Sequence, residues 1–353
     1  MREPARTIVR HRRGAIFIAA LGIVVVLSGL LLVFAQNMRT EALASANRLS
    51  YAQADAVEQG AERWVLAQVE SNPGDAVTIT QTPAEALQIG TGYFWVLHPD
   101  PDSDQIYAYG ITDEAAKLNV NSATSDQMLL LPSATNDIAD AIVDWRDEDS
   151  TPGPNGAESE YYQSLPEPYS CKNAPFETVE ELLLVKDVNP QLLYGYDRNH
   201  DGVISDAERS AGGTGTVFNS ATDDSRGLFN YVTVYSMETN SSAGGTPRVN
   251  VNANPQAIQK VLSDGISQAR ANEIMQRIAP AIAAGRGQPV FANIGTFYLA
   301  SGMTAAEFKL VADKLTTNPA KTITGLVNVN TAPKRVLRCL SGLSDDDVDA
   351  LVA

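Results

Sequence analysis

The chain begins with an apolar run that passes without a break into a longer, mixed stretch. Residues 15–35 read AIFIAALGIVVVLSGLLLVFA, and Ser28 is the one polar side chain that interrupts them. About 20 apolar residues are the length of a membrane-spanning helix. No helix breaker follows before Pro73, and apolar residues recur along one narrow face at steps of three and four, namely Ala54, Val57, Ala61, Trp64 and Ala67. The pattern predicts one long helix over residues 15–72.

Beyond Pro73 the pattern becomes typical of strands. Short segments are rich in β-branched and aromatic residues and are bounded by Gly, Pro or Asp, which favours extended backbone. Four segments have this character: AVTIT from Ala76, GYFWVLH from Gly92, QIYAYGI from Gln105 and LFNYVTVYSM from Leu228. We therefore predict a sheet-forming part after the long helix.

The sequence Asn-Val-Asn occurs three times, at residues 119–121, 250–252 and 328–330. Each copy is followed by a short apolar run, a break and a longer amphipathic run. In the third copy, Thr331 is a candidate helix cap and Gly342 a candidate helix stop, and Ser344 with Asp347 resembles a capping box. Since a repeated phrase marks a repeated structural unit, we predict three modules of strand, short helix, tight turn and longer helix.

Two kinds of small helical module fit this order. One is a helix–hairpin–helix that binds a DNA backbone, and the other is a packing module similar to a sterile alpha motif. The net charge is −16 and the sequence pI is near 4.6, which argues against a large nucleic-acid surface. The hairpins LPSAT, LSDGIS and LSGLS also have few basic neighbours. We favour the packing module and expect no nucleic-acid partner.

Basic residues are concentrated before the apolar run, at Arg2, Arg6, Arg10, Arg12 and Arg13. Positive charge on this side places the N-terminus in the cytoplasm and the rest of the chain across the membrane. An ordinary secretory signal would have a shorter apolar core and a small-residue cleavage site. We expect a protein that crosses the membrane once, through Ala15–Ala35, with its C-terminal part outside the cytoplasm; the family resemblance described below implies that this membrane is the inner membrane and that the C-terminal part lies in the periplasm.

A twelve-residue segment, DRNHDGVISDAE from Asp197 to Glu208, fits the calcium loop of an EF-hand. Gly202 stands at the sixth position, where the loop bends sharply. The candidate ligands are Asp197, Asn199, Asp201, the carbonyl group of Val203, Ser205 through a water molecule, and Glu208. We expect Ca²⁺ rather than Mg²⁺ because this ligand shell is large and flexible. An Asp/Asn/Gly-rich surface turn is the alternative.

A second acidic stretch, DWRDEDSTPGPNGAESEYY, surrounds a Pro-Gly loop. Asp147, Asp149 and Glu158 are candidate ligands of a second Ca²⁺ ion there. Their spacing matches no fixed template, and a solvated acidic loop fits it equally well.

The sequence predicts no enzyme. Its three histidines and two cysteines have no zinc-site spacing, and no nucleophile elbow, phosphate loop or dinucleotide fingerprint is present. Outside the cytoplasm Cys171 and Cys339 could form a disulfide, which would stabilise the fold by roughly 4–5 kcal/mol across so long a loop. Two free buried thiols are the alternative, and both remain open at this point.

Several segments resemble known families. RRGAIFIAALGIVVV resembles the class III signal of type IV pilin-like proteins, which implies cleavage by a prepilin peptidase after Gly14 and an N-methylated Ala15. Longer segments resemble the minor pseudopilin K of the type II (general) secretion system: DEAAKLNVNSA, ADAIVDWRDEDSTPGPNGAESEYYQSLPEPY, KNAPFETVEELLLV and RVNVNANP. This second resemblance extends over nearly the whole chain.

The resemblance implies an α+β, pilin-like fold: a long N-terminal helix packed on a small antiparallel β-sheet, with a large inserted helical domain of the modules described above. Calcium in the insertion is a family feature, which the residues of 197–208 match. The expected division of the chain is a leader at 1–14, the long helix at 15–72, a β-sheet part at 73–122, the inserted domain at 123–230, return strands at 231–252, a second helical module at 253–325 and a third repeat at 326–353.

The family also implies a function: a place at the tip of the periplasmic pseudopilus, helping to start its assembly and protein export across the outer membrane. Expected partners are the I and J minor pseudopilins, then the H type, the inner-membrane secretion platform and the prepilin peptidase. Position five after the cut, usually Glu in pilins, is Ala19, which matches the K subgroup. The third repeat aligns with the first only as far as Val352, so we expect it to be truncated. The alternatives are a minor pilin of a type IV or DNA-uptake pilus and a calcium-dependent surface adhesin.

Overall fold

The computed structural model describes residues 13–99, 107–199, 203–211, 226–284 and 290–352. Thirteen α-helices lie in these ranges: α1 Arg13–Ser71, α2 Ala76–Thr80, α3 Ser125–Met128, α4 Asn136–Arg146, α5 Ser159–Gln163, α6 Pro190–Tyr194, α7 Asp206–Ala211, α8 Pro255–Gly265, α9 Gln268–Ala284, α10 Ile294–Ser301, α11 Ala305–Val311, α12 Lys334–Arg338 and α13 Asp345–Val352.

The described strands are short and pair two by two. They are β1 Leu87–Ile89, β2 Gly92–Phe94, β3 Leu97–Pro99, β4 Tyr107–Tyr109, β5 Leu118–Asn119, β6 Val232–Thr233, β7 Met237–Thr239, β8 Val249–Asn250, β9 Leu315–Thr316 and β10 Thr322–Thr324. Antiparallel pairs are β1–β2, β3–β4 and β7–β10, whereas β5–β6 and β8–β9 are parallel. The Asn-Val-Asn strands are thus not part of one antiparallel sheet. The mixed helix and strand content and the long N-terminal helix are as predicted.

The chain divides into two compact units, and the first comprises residues up to Ala67 together with Glu85–Trp95. The N-terminal part of α1 is apolar, exposed and long enough to cross a membrane, as the sequence predicts. The predicted apolar face is only partly correct, because Val57, Ala61 and Trp64 are half-buried whereas Ala54 and Ala67 are exposed.

The hairpin β1–β2 packs against α1 inside this first unit. Trp64 and Phe94 meet edge to face with ring centroids 5.8 Å apart. Gly60 and Gly92 permit the close approach: a Cβ on Gly60 would stand 2.6 Å from Ile89 Cδ1, and a Cβ on Gly92 would stand 2.5 Å from Val57 Cγ2. Small residues therefore set the distance between helix and hairpin.

The second unit, Gln68–Ala84 with Val96–Ala353, contains the three Asn-Val-Asn modules. It begins with a difference from the sequence prediction, since the segment AVTIT forms α2 rather than a strand. Asp75 caps this helix: its Oδ1 accepts from the N–H of Thr78 at 3.0 Å and its Oδ2 from the Thr78 hydroxyl at 2.7 Å. This local capping outweighs the β-propensity of the segment.

Each module has the predicted order of helix, turn and helix: α3–α4, α8–α9 and α12–α13. The capping box of Ser344 and Asp347 is confirmed, with the Asp347 N–H donating to Ser344 Oγ at 3.2 Å and the Ser344 N–H to Asp347 Oδ2 at 3.0 Å. The predicted cap at Thr331 is wrong. Its hydroxyl donates to Asp113 Oδ2 at 2.7 Å, and α12 begins after Pro333.

Two hydrophobic cores hold the modules. The first core joins the first and third modules, and its fully buried members include Met128, Leu182 and Val336. The second core belongs to the second module and contains Ile258, Leu262 and others. The third Asn-Val-Asn segment is not a strand in the structure, but the N–H of Asn328 donates to the carbonyl of Ala115 at 2.8 Å.

Candidate metal centre

An acidic cluster forms where α4 ends and α5 begins. Asp147 is the C-terminal cap residue of α4, and Glu158 is the residue before the first turn of α5. The Pro-Gly loop between them turns back, so the two carboxylates face each other. Single ligand oxygens of Asp147, Asp149 and Glu158 all lie within 4.8 Å of one another. The structure therefore brings together all three residues of the second predicted site.

Three oxygens of this cluster lack hydrogen-bond donors, whereas Asp149 is exposed and its Oδ1 accepts from the Thr151 N–H at 2.7 Å. Within the described part of the chain, both carboxylate oxygens of Glu158 and Oδ1 of Asp147 are buried without a hydrogen-bond partner. The side-chain oxygen of Asn173 is in the same state, and the amide nitrogen of Asn173 donates to the carbonyl of Asp149. Buried charges without partners are costly in a folded protein. A bound cation would remove this cost.

A fourth carboxylate, that of Asp144, is hydrogen-bonded to the loop between Asp147 and Glu158. It is buried, and the N–H of Gly153 donates to both of its oxygens at 3.1 Å. Asp140, Asp144 and Asp147 lie at helical steps of four and three, so they share one face of α4. Asp144 and Asn173 are not among the residues predicted from the sequence for this site. The helical spacing was a signal for the first, whereas no local pattern marks the second.

The burial and crowding of these carboxyl groups also shift their pKa values. Burial raises the pKa of Asp147, and the neighbouring charge of Asp149 adds to the shift. Burial also raises the pKa of Glu158, with further contributions from Asp144 and Asp147. Burial is likewise the main cause of the raised pKa of Asp144. In the absence of a cation, the protein thus disfavours the charged form of each carboxyl group.

The donor set indicates which ion fits. Carboxylate and amide oxygens are hard ligands, and a crowded group of them from a flexible loop is typical of a calcium site. Asp147, Asp149 and Glu158 would hold the ion, with Asn173 as an additional oxygen donor. The residues present therefore fit Ca²⁺.

The EF-hand-like loop is described only in part, because Asp201 and Gly202 lie outside the described residues. Asp197 is buried at the start of the loop. Glu208 Oε1 accepts from the N–H of Arg198 at 3.2 Å, so the twelfth position reaches back to the second. The second and twelfth positions of the predicted loop are thus in contact. Asn199, Val203 and Ser205 also belong to the described part of this loop.

Glu208 also caps the helix that leaves this loop. Its Oε2 accepts from the N–H and the hydroxyl of Ser205 at 2.9 and 2.7 Å, and its own N–H donates to Ser205 Oγ at 3.3 Å. The hydrogen bonds from Ser205 lower the pKa of Glu208. Glu208 is therefore held ionised at the position of the bidentate ligand.

The structure contains no bond between the two cysteines. Cys171 and Cys339 are both buried and free. Each thiol donates to a backbone carbonyl near it, Cys171 to Asp144 at 3.6 Å and Cys339 to Arg335 at 3.4 Å. Burial raises the pKa of each thiol to about 11. The disulfide expected as one alternative is thus absent, and the alternative of two free buried thiols is the one observed.

The predicted processing residues lie on α1. Gly14 and Ala15 belong to its first turns, and Ala19 is exposed one turn later.

One segment of the chain matches a known protein family. Residues 112–197 match the family model described as type II secretion system (T2SS), protein K. This range contains the acidic cluster and reaches the first residue of the EF-hand-like loop. No curated protein sequence matches the chain.

The chain also has a weak resemblance to a solved structure. It is "The Crystal Structure of the GspK-GspI-GspJ complex from enterotoxigenic Escherichia coli Type 2 Secretion System", with 15% identity, a TM-score of 0.30, and coverage of 78% of this chain and 85% of that chain. Over residues 112–197, the family match thus agrees with the resemblance to protein K of the type II secretion system that the sequence shows.

Proposed function

We propose that the protein is a minor pseudopilin at the tip of the type II secretion pseudopilus, where it helps to start pseudopilus assembly and protein export. The match of residues 112–197 to the protein K family carries this proposal. The exposed apolar part of α1 supports it, because a pseudopilin keeps such a helix in the inner membrane before assembly. The role is structural rather than enzymatic.

Orientation, processing and partners belong to the same proposal. The basic residues before α1 stay in the cytoplasm, and the modules lie in the periplasm. A prepilin peptidase cuts after Gly14, and Ala15 becomes the methylated N-terminus. The I and J minor pseudopilins, the H type and the secretion platform are the partners that the family implies. Ala19 in place of Glu fits a subunit that has no neighbour above it to offer an amine, since a buried unpaired carboxylate is costly.

Calcium binding at two sites is also part of the proposal. The cluster of Asp147, Asp149 and Glu158 and the loop 197–208 each bind Ca²⁺. The buried, unpartnered oxygens of Glu158 and Asp147 support the first site. The closure of the loop by Glu208 supports the second. When bound, the ions neutralise crowded carboxylates and hold the irregular loops of the inserted domain in one conformation.

Deletion and complementation test the proposed function. Removal of the gene should abolish export by the type II system and leave periplasmic intermediates of its substrates, and the wild-type gene should restore export. A variant that lacks the apolar part of α1 should not restore it. Normal export in the deletion strain, with loss of DNA uptake or of surface pili instead, would support the alternative of a type IV or DNA-uptake pilin.

A further inference from the structure

The loop between Asp147 and Glu158 contains the one Asn-Gly pair of the sequence, Asn155–Gly156. In such a pair the main-chain nitrogen of the glycine can reach the side-chain carbonyl carbon of the asparagine, because glycine has no Cβ to obstruct the approach and adopts many backbone conformations. Asn155 is exposed, so water also reaches its side chain. The pair is therefore a candidate for chemistry of its own, separate from the ligands of the candidate metal centre.

Packing requires glycine at residue 156. A Cβ there would stand 1.8 Å from Asp144 Oδ2, so no larger residue fits the loop as it is folded. The Gly156 N–H donates to the carbonyl of Gly153 at 3.2 Å, which is at the long end of the range for such bonds. The Gly156 nitrogen is thus held only weakly by its hydrogen bond.

The ammonium group of Lys186 lies at the peptide bond between these two residues. Its Nζ donates to the main-chain carbonyl oxygen of Asn155 at 3.1 Å. That oxygen and the Gly156 nitrogen belong to one peptide group, so negative charge left on the nitrogen after loss of its proton is shared with the oxygen. A cation at the oxygen stabilises this anion, as positioned charges stabilise the charge that develops during a reaction. Lys186 therefore increases the fraction of Gly156 in the nucleophilic form.

Lys186 is fixed in place by contacts on several sides. Its main-chain N–H donates to the hydroxyl of Tyr162 at 3.2 Å, and Tyr162 is fully buried. Its Nζ lies 5.6 Å from the centre of the Tyr161 ring and 3.7 Å from Asp137 Oδ1. The positive charge therefore stays near the peptide group of residues 155 and 156 in the folded chain and leaves it when the chain unfolds.

Asp140 orients the side-chain amide of Asn155. Asn155 Nδ2 donates to Asp140 Oδ2 at 2.9 Å, and the Ser125 hydroxyl donates to Asp140 Oδ1 at 2.5 Å. The hydrogen bond from Ser125 is the main cause of the lowered pKa of Asp140, and the bond from Asn155 adds to it. Asp140 is therefore ionised near neutral pH, so it holds the amide by accepting its proton and does not itself supply one.

We propose that Asn155 is a site of spontaneous deamidation, which Lys186 promotes in the folded protein. The deprotonated Gly156 nitrogen attacks Asn155 Cγ, a bond forms between these two atoms, and the bond from Cγ to Nδ2 breaks. The proton that the Gly156 nitrogen loses is returned through water to Nδ2, which leaves as ammonia. Water then adds to either carbonyl carbon of the resulting five-membered cyclic imide and opens the ring. The products are aspartate and isoaspartate at residue 155.

Either product changes the loop that carries Glu158. With aspartate at residue 155, the hydrogen bond to Asp140 is replaced by repulsion between two carboxylates. Isoaspartate also adds one carbon atom to the main chain immediately before Gly156, which packs directly against Asp144. The modification thus adds a negative charge beside the candidate metal centre and loosens the loop.

The test follows the full chain in detergent, incubated at physiological temperature and pH and sampled for peptide mass spectrometry. We expect both products at Asn155 and little conversion at Asn136, which is exposed but precedes Asp137. Lys186→Gln should slow the conversion of Asn155 about three- to tenfold, the kinetic equivalent of one exposed charge contact. Lys186→Arg keeps the positive charge and should convert nearly as fast as wild type, whereas Asn155→Gln should not convert.

Urea separates the effect of the fold from that of the local sequence. In urea, wild type and Lys186→Gln should convert at the same rate, because the lysine no longer lies at the peptide group. Melting temperatures verify that the variants are folded in buffer, and the comparison of Asn155 with Asn136 in wild type needs no variant. The proposal is overturned if Asn155 converts no faster than Asn136, if folded Lys186→Gln converts as fast as wild type, or if ammonia loss links residues 155 and 186 covalently.

Discussion

Gly156 lies directly against Asp144, because a Cβ on Gly156 would stand 1.8 Å from Asp144 Oδ2. The same carboxylate accepts two bonds from the Gly153 N–H. The loop that carries Glu158 back to Asp147 thus closes around a buried acid, and it can do so only because no side chain stands at residue 156. The geometry of the candidate metal centre depends on this contact.

Gly156→Ala should therefore destabilise the inserted domain. Forcing a methyl group into a packed site costs about 1–3 kcal/mol. Urea unfolding at saturating calcium measures the change. Gly244→Ala is the control, because a Cβ there meets nothing closer than 3.9 Å, and it should stay within about 0.5 kcal/mol of wild type. A Gly156→Ala protein as stable as the control would contradict the close packing of the loop.

Glu158→Gln should reduce the stabilisation by calcium, since the substitution keeps the shape of the side chain and removes its charge. A ligand that binds only the folded state adds about 2.7 kcal/mol at a hundredfold excess over Kd. Melting in calcium and in chelator measures this gain. Glu160→Gln changes an exposed acid two residues away and should retain the full gain. If wild type melts at the same temperature in both conditions, the cluster binds no calcium.

The substitution Glu208→Gln tests calcium binding by the EF-hand-like loop separately from binding by the acidic cluster. The loss of charge should lower the number of bound calcium ions by one in isothermal titration, with the cluster around Glu158 still occupied. A combined variant with Glu158→Gln should bind none of the tightly held ions. Unchanged stoichiometry in Glu208→Gln would show that residues 197–208 form a turn held by Ser205 rather than a calcium site.

In the calcium-free protein, the contribution of Asp147 to the free energy of unfolding should decline as the pH rises above about 4. Asp147 has an ordinary pKa of 3.8, and burial raises that pKa in the folded chain. Between the two values the folded chain binds more protons than the unfolded chain, so its advantage is complete at low pH and declines as the pH increases. The free energy of unfolding of wild type in chelator, compared with that of Asp147→Asn, should show this slope. Equal pH profiles for the two proteins would contradict it.

Asn252→Ala should destabilise the second module by about 1–3 kcal/mol, because it leaves the backbone groups of Phe291 buried and unpaired. Asn330→Ala makes the same chemical change at an exposed side chain, whose Nδ2 donates only to Asn328 Oδ1 nearby, and should cost less than about 0.5 kcal/mol. Chemical unfolding of both variants measures the two losses. Equal losses would contradict the claim that the buried bonds of Asn252 matter more than the exposed bond of Asn330.

The repeated sequence predicted the three helix pairs correctly because their signals are local. Caps such as Ser344 and periodic apolar residues such as those of α4 lie within a few positions of the helices they define. The bonds from Asn121 to Phe176 and from Asn252 to Phe291 were not predicted, since they join residues 55 and 39 positions apart. No local pattern reports such a pairing.

The candidate metal centre was predicted only in part, because some of its residues are close in sequence and others are not. Asp147, Asp149 and Glu158 lie in one recognisable acidic stretch, and the structure gathers them. Asn173 enters the cluster from a separate loop, and its backbone, with φ of 49°, is a conformation that composition does not reveal. The strand predicted at Ala76 failed because a single cap, Asp75, outweighed five residues of β-propensity.

The central claim, that this chain is a minor pseudopilin of the type II secretion system, is tested most directly by its partners in the membrane. The full-length chain, tagged at its C-terminus and expressed at its native level, should be crosslinked in cells and purified. We expect the I and J minor pseudopilins to be recovered in excess over the major pseudopilin, and the recovered chain to begin at Ala15. Recovery of type IV pilins or DNA-uptake proteins without minor pseudopilins, or a chain that begins at Met1, would contradict it.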